Sequence, residues 1–176
     1  MEKKINLVLI AVIGLTVAFI SCKKNDENHE KEDEPKQMIM TTAKDEIWIA
    51  LAGSGSATID WGDGSPKETK SVVVRDSWPE FTHIYEKKTT HTITISGNNI
   101  EKMMCQGNEL ITLDVSKNSE LTFLYCRINQ IRSLNINVLI NLEELDCIEN
   151  QLTSLNLKGL TNLKSMHCDN NKMVMS

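Results

Sequence analysis

Cys105, Cys126, Cys147 and Cys168 recur every 21 residues, and each is followed three residues later by an asparagine: Asn108, Asn129, Asn150 and Asn171. Thiols at a fixed period could form disulfides, hold a metal or carry redox chemistry, and the spacing argues against each. A disulfide needs two Cβ vectors that turn towards one another, whereas equivalent positions on parallel strands project the same way, about 4.8 Å apart. A tetrahedral metal site needs ligands that close around a point, which a one-dimensional column without a Cys-x-x-Cys pair does not supply. A redox thiol needs exposure and an activating cation, and these four are expected to be buried. What remains is a structural ladder of small polarizable groups acting as hydrophobes. The asparagines beside it are expected to point inward and bond backbone groups left over by the turn after each strand.

No other constellation points to catalysis, so no enzyme, metal or cofactor is expected. His29, His83, His91 and His167 are scattered, with no H-E-x-x-H, G-x-S-x-G or phosphate-cradling loop around them. Gly53-Ser54-Gly55-Ser56 lacks the lysine and following helix of such a loop and reads as a flexible turn. Asp60 and Asp63 offer a carboxylate pair for calcium, but Asp63-Gly64 is a tight-turn dipeptide whose aspartate caps its own backbone. The net charge of −5, with no Lys/Arg cluster after residue 24, leaves no electrostatic footprint for nucleic acid.

The elements that position the ladder follow from the full unit, L-x-x-L-x-C-x-x-N-x-L. It appears as Leu121, Leu124, Cys126, Asn129, Ile131 and again as Leu142, Leu145, Cys147, Asn150, Leu152. This is the leucine-rich-repeat pattern, and it resembles the cysteine-containing 21-residue repeats of internalin-like bacterial proteins. The resemblance implies a short solenoid of parallel strands over residues 100–176, about four units with the last incomplete. A second inward pair per unit (Leu113 and Val115, Leu134 and Ile136, Leu155 and Leu157) is expected to close the coil through turns or 3₁₀ pieces.

Residues 38–99 do not follow the repeat. Short β-rich runs at 46–52, 57–61, 69–75, 81–85 and 91–96 alternate with glycine-rich turns, which suggests a small antiparallel sandwich. Trp61-Gly62-Asp63-Gly64-Ser65, then Thr82-His83-Ile84-Tyr85 and the Thr92 to Gly97 strand, resemble the PKD-type immunoglobulin-like module. That resemblance implies a spacer or adhesion domain capping the repeats. The expected fold class is therefore mostly β: a PKD/Ig-like β-sandwich followed by a short leucine-rich-repeat solenoid.

The N-terminus reads as an export signal over 1–21, with Lys3 and Lys4 before an apolar run ending at Ser21-Cys22. Phe19-Ile20-Ser21-Cys22 resembles a bacterial lipobox, which implies that Cys22 is lipidated and holds the chain to a membrane. The alternative, a transmembrane anchor, needs about 20 apolar residues, more than the run offers. Residues 22–37 read as a flexible acidic tether, since 23–36 carry no large apolar residue to offset ordering entropy. The tether is either a spacer or, by resemblance, a signal for display on the outer face of a Gram-negative cell. An outer-membrane lipoprotein, surface-exposed or periplasmic, is the expected location.

With chemistry excluded, function falls to the concave face of the repeats, formed by residues flanking the inward ones. The candidates are Met104; Phe123, Tyr125 and Arg127; Glu144 and Asp146; His167 and Asp169. Aromatics beside an arginine are what protein-binding hot spots favour, so a protein partner and an adhesion role are expected. Two alternatives stand beside it: glycan recognition beside an uptake system, with Phe123, Tyr125 and Trp48 or Trp78 as stacking platforms, or a non-binding spacer or truncated remnant of a longer repeat protein. End-to-end self-association through the last repeat is also expected from its apolar edge. Intact-protein mass spectrometry of the mature protein is expected to show cleavage before Cys22 and an acylated N-terminus; retention of residues 1–21 would rule out the lipoprotein reading.

Overall fold

The structure is a computed structural model that describes residues 36–73 and 77–173. The expected signal segment, Cys22 and the tether up to residue 35 lie outside the described residues. The described part falls in one compact unit, Glu34–Ser176. It is all β, with eleven strands in two sheets and no helix among the described residues.

The first six strands pair antiparallel, and alternation explains each. In β6 (His91–Ser96), Ile93 and Ile95 are buried while Thr92 is exposed. β1 (Gln37–Thr42) buries Met38, Met40 and Thr42, and pairs with β6 in register from Gln37↔Ser96 to Thr42↔His91. Gln37, expected at the end of the tether, thus opens a strand that the local sequence does not announce. β2 (Glu46–Gly53) buries Ile47, Ile49 and Leu51. β3 (Ser56–Asp60), β4 (Glu68–Ser71) and β5 (Glu80–Ile84) complete this part.

β7 (Ile100–Met104) joins that part to the repeats. On one side it pairs antiparallel with β2, and on the other it pairs parallel with β9 (Phe123–Tyr125). β10 (Glu144–Asp146) and β11 (Ser165–His167) extend the ladder, so Lys102, Phe123, Glu144 and Ser165 share one register level. The sheet order is β11-β10-β9-β7-β2-β5. One sheet therefore runs without interruption from the antiparallel strands into the 21-residue rungs, and a single hydrophobic core lies beneath it from Met38 to Leu160.

In the first rung a bulge accompanies the three-residue step between the inward positions. Between Ala52 and Gly53 the β2–β7 register slips, so Gly53 opposes Ile100 while Ala52 opposes Lys102. Ile100 and Met103 are both buried as a result. Gly53 is required at this point, because a Cβ there would meet the Asn99 carbonyl oxygen at 2.0 Å.

The segment after each asparagine departs from expectation in the first unit. Leu110–Asp114 is a full strand, β8, paired antiparallel with β1, giving the second sheet the order β4-β3-β6-β1-β8. A bulge at Thr41/Thr42 turns Ile111 and Thr112 outward together, leaving Leu110 and Leu113 buried. Later units have no antiparallel neighbour there and keep one backbone bond per rung, such as Gln130 N–H to Leu110 O at 2.9 Å and Gln151 N–H to Ile131 O at 2.9 Å. Two turns with i to i+3 bonds then close each coil, for example Leu139 to Ile136 and Leu142 to Leu139. The expected inward pair Leu155 and Leu157 is only half realised: Leu155 packs partly against the core, whereas Leu157 is 39 % exposed because no described rung follows to cover it.

The asparagines hold the rungs together. Asn129 Oδ1 accepts the N–H groups of Asn108 and Leu110, while its Nδ2 donates to the carbonyls of Cys105 and Cys126. Asn150 and Asn171 repeat the arrangement one and two rungs on. Asn108 applies the same amide to the antiparallel part, accepting Trp48 N–H at 3.1 Å and donating to Trp48 O at 2.6 Å. Removing a buried amide strands every backbone group it served, at roughly 1–3 kcal/mol each. Asn129→Ala is therefore expected to lower unfolding free energy by about 3 kcal/mol or more, and Asn171→Ala, whose partners water can reach, by about 1 kcal/mol; equal losses in urea titrations would contradict this ranking.

Candidate functional site

The outward side of the ladder gathers the expected residues into a compact surface. β9 presents Phe123 and Tyr125, both half-buried, with Arg127 exposed just beyond. The next rung sets Glu144 beside Phe123 and Asp146 beside Tyr125. Tyr125 donates its hydroxyl hydrogen bond to Glu144. Burial first, then that bond and the charges of Glu144 and Asp146, pushes the Tyr125 pKa up to about 12, so the phenol stays protonated and able to donate. Arg127 Nε lies 4.0 Å from Asp146 Oδ2, a distant pairing for a guanidinium whose side chain is 46 % exposed. Met104 stands beside Tyr125 on the preceding rung and is half-buried, while His167 and Asp169 are exposed on the last one. His167 Nε2 is 3.2 Å from Ser165 Oγ.

Trp78 completes this surface, and its arrival comes from outside the repeat. It lies just before β5, yet its ring stacks on Tyr125 at 6.1 Å and 7° and meets Phe123 edge-on at 6.4 Å. The Lys102 ammonium sits 4.4 Å from the Phe123 ring centre and 5.6 Å from that of Trp78. Alternation along β2 puts Ala50 and Ala52 on this outward side, paired with Met104 and Lys102, and both are buried. Their small side chains keep this side of β2 low where the Trp78 segment runs beside it, Leu51 N–H bonding Pro79 O at 3.1 Å. The two outward alanines in E-I-W-I-A-L-A were the one sequence signal that something covers β2, but nothing local says that the cover is Trp78. Trp48, the other aromatic suggested for this surface, stays half-buried on β2 opposite Thr82 and joins none of these rings.

The clusters that could suggest chemistry elsewhere are internally satisfied. Asp63 accepts both the N–H and the hydroxyl of Ser65 through Oδ1, and its Oδ2 lies 2.7 Å from His83 Nε2. The Ser65 bonds, more than His83, hold the Asp63 carboxyl well below the usual carboxylate range. Asp60 caps Gly62 N–H and pairs with Lys67. His83 stacks on Trp61 and meets Tyr85 edge-on, and Tyr85 donates to Trp61 O. A cleft of about 590 Å³ opens beside these residues; its Asp63, Ser65 and Tyr85 groups are engaged in the bonds just given, and Glu86 and Thr90 also line it. Among the described residues no group of three or more His, Cys, Asp or Glu side chains converges.

The four cysteines among the described residues are free thiols. Cys105, Cys126 and Cys147 are completely buried, and each donates its backbone N–H to the next rung, at Tyr125 O, Asp146 O and His167 O. Burial pushes the Cys105 and Cys147 thiols up to about 12 and Cys126 well above 9. Cys168 differs from the buried state expected of all four: it is half-exposed, and Met166 beside it is 37 % exposed, because the last described rung has no neighbour on its far side.

No family model matches this chain, and no curated protein matches it. Among solved structures, the functional domain of InlJ from Listeria monocytogenes, which includes a cysteine ladder, aligns at 36% identity with a TM-score of 0.42. The alignment covers 43% of this chain and 17% of the Listeria one.

The graded burial of the thiols sets an expected order of reactivity, since the thiolate is the attacking species, burial raises the Cys105, Cys126 and Cys147 thiols, and access favours Cys168. With a thiol reagent on the native protein, Cys168 should label fast while Cys105, Cys126 and Cys147 label slowly, and all four should label fast in denaturant. Rapid native labelling of Cys126 would show the inward register to be wrong.

Proposed function

We propose that this protein is a non-enzymatic binding module: a PKD-like sandwich capping a short leucine-rich-repeat solenoid that takes a protein partner on the outward face of its parallel strands. The observation that carries the reading is the Trp78–Tyr125–Phe123 cluster, edged by Lys102, Arg127, Glu144 and Asp146. Tryptophan, tyrosine and arginine together are the side chains that dominate protein-binding energy, and they do so where a rigid scaffold holds them. Phe123, Tyr125 and Arg127 belong to the second rung, whose strand is hydrogen-bonded to a neighbour on both sides. The Lys102 ammonium lies over the Phe123 ring and the three rings pack against one another, which favours a protein contact over a sugar stacked on Phe123.

The N-terminal sequence supports placement outside the cytoplasm: an apolar segment ending at Ser21-Cys22 and then an acidic stretch. In this reading the lipid on Cys22 anchors the chain, the tether holds the module off the membrane, and adhesion to a protein on a neighbouring surface is the activity.

The test compares the native protein with Arg127→Ala and Trp78→Ala as bait for extracellular proteins, followed by calorimetry with the purified captured protein. Arg127→Ala should leave stability within about 0.5 kcal/mol, since the side chain is exposed, yet weaken binding by about 1–2 kcal/mol, as should Trp78→Ala. A glycan-array signal abolished by Tyr125→Ala, with no protein captured, would replace this reading by carbohydrate recognition.

A further inference from the structure

We infer that the partner of this face is a second copy of the same chain, so that the module makes homophilic contacts; this rests on the binding face proposed above. The face is divided by charge along the ladder. Its cations, Lys102 and Arg127, stand on the first two rungs, and its anions, Glu144, Asp146 and Asp169, on the last two. It is also divided by bulk. Phe123, Tyr125 and Trp78 occupy the cationic half, whereas the other half carries no aromatic larger than the His167 imidazole, with Ser165, Asp146 and Asp169 beside it.

A surface with opposite properties in its two halves is complementary to itself when one copy is turned end for end, as a two-fold axis does. An axis lying in the contact, parallel to the strands and midway between β9 and β10, sets the second rung of one copy over the third rung of the other. It sets the first over the fourth at the same time. Arg127 then lies one rung, about 4.8 Å along the ladder, from Asp169 of the other copy, and the symmetry makes that contact twice. Lys102 comes equally near the other copy's Glu144.

Two observations mark Arg127 and its neighbour as groups held for such a contact. Among the described residues Arg127 pairs with Asp146 alone, through Nε at 4.0 Å, and its side chain is 46 % exposed. The next residue, Ile128, is 48 % exposed at φ 56, a left-handed conformation that a β-branched side chain resists. The equivalent positions are Gly107, Glu149 and Asn170, so folding gains nothing from an isoleucine here, and an apolar contact with a partner is what the side chain offers. Four rungs give a small face, so the dimer is a weak one of the kind formed by interfaces below about 1,200 Å².

Sedimentation equilibrium of the full chain in density-matched detergent, from about 1 µM to about 1 mM, brackets a weak dimer. A monomer–dimer equilibrium is expected, weakened by added salt because rim charges are screened. Arg127→Glu and Asp169→Arg should each weaken self-association by about tenfold or more, by setting like charges opposite one another. An equimolar mixture of the two variants should dimerise again, since each then meets the charge it needs. A monomer throughout the range, or a dimer indifferent to both variants, would overturn the inference. In either case capture of a different protein by wild type and not by Arg127→Ala would leave the binding face standing, whereas no Arg127-dependent partner of any kind would remove both.

Discussion

The structure depends on a side-chain amide that does the same work four times. After each inward cysteine the chain turns a corner, and at that corner backbone groups lose the partners that a continuous strand would give them. Buried groups left so cost more than the turn itself. Asn129, Asn150 and Asn171 meet the need by spanning two rungs, accepting N–H groups from the rung before and donating to the carbonyls that follow the cysteines of both. Asn108 has no earlier parallel rung, and its amide closes on both backbone groups of Trp48 instead. The bond that fixes the spacing between rungs is therefore also the bond that fixes the register between the repeats and β2.

The corner explains the residues around the asparagine. The residue before it takes a positive φ in every unit: Gly107 at 68°, Ile128 at 56°, Glu149 at 53° and Asn170 at 56°. Glycine adopts this conformation freely, while other residues lose about 1–2 kcal/mol. The strain persists because the corner's own N–H groups are bonded to the next rung, Ile128 to Ile148 O at 2.9 Å and Asn129 to Glu149 O at 3.0 Å. A cysteine suits the position beneath. It is small enough to stack at rung spacing, and unlike serine it asks for no strong hydrogen-bond partner when buried.

The repeat was legible in the sequence because its signals are local and recur: leucines three apart, then Cys, then Asn, always 21 residues on. The strand β6 was legible for a similar reason, as His91-Thr92-Ile93-Thr94-Ile95-Ser96 alternates without a break. What escaped is information carried by distant partners. Met38 and Met40 alternate over too few residues to separate a strand from a tether, and only pairing with β6 and β8 makes β1. Leu110–Asp114 has the pattern of the later units, yet it alone becomes a strand because β1 is there to receive it. Likewise Phe123, Tyr125 and Arg127 could be placed on one face from their spacing, whereas Trp78, remote in sequence, could be named beside them only as an alternative to Trp48.

The burial gradient along the ladder shows why the aromatic cluster sits where it does. Leu124 and Leu145 are almost wholly buried, whereas Met166 at the same level of the last described rung is 37 % exposed. Each rung is stabilised by its neighbours on both sides, as stacked repeats are, and the second rung has them in full. It lies next to β7, which β2 supports from the other side through paired backbone and the Asn108 amide. A side chain on this rung loses little further freedom when a partner docks, because its backbone is held and its rings are already packed against Trp78 and Lys102. The same aromatics on the fourth rung would have to be ordered by the partner, at a cost to affinity. The antiparallel strands are thus more than a cover for the first repeat, since they supply both the ring that completes the face and the rigidity on which the proposed partner contact would draw.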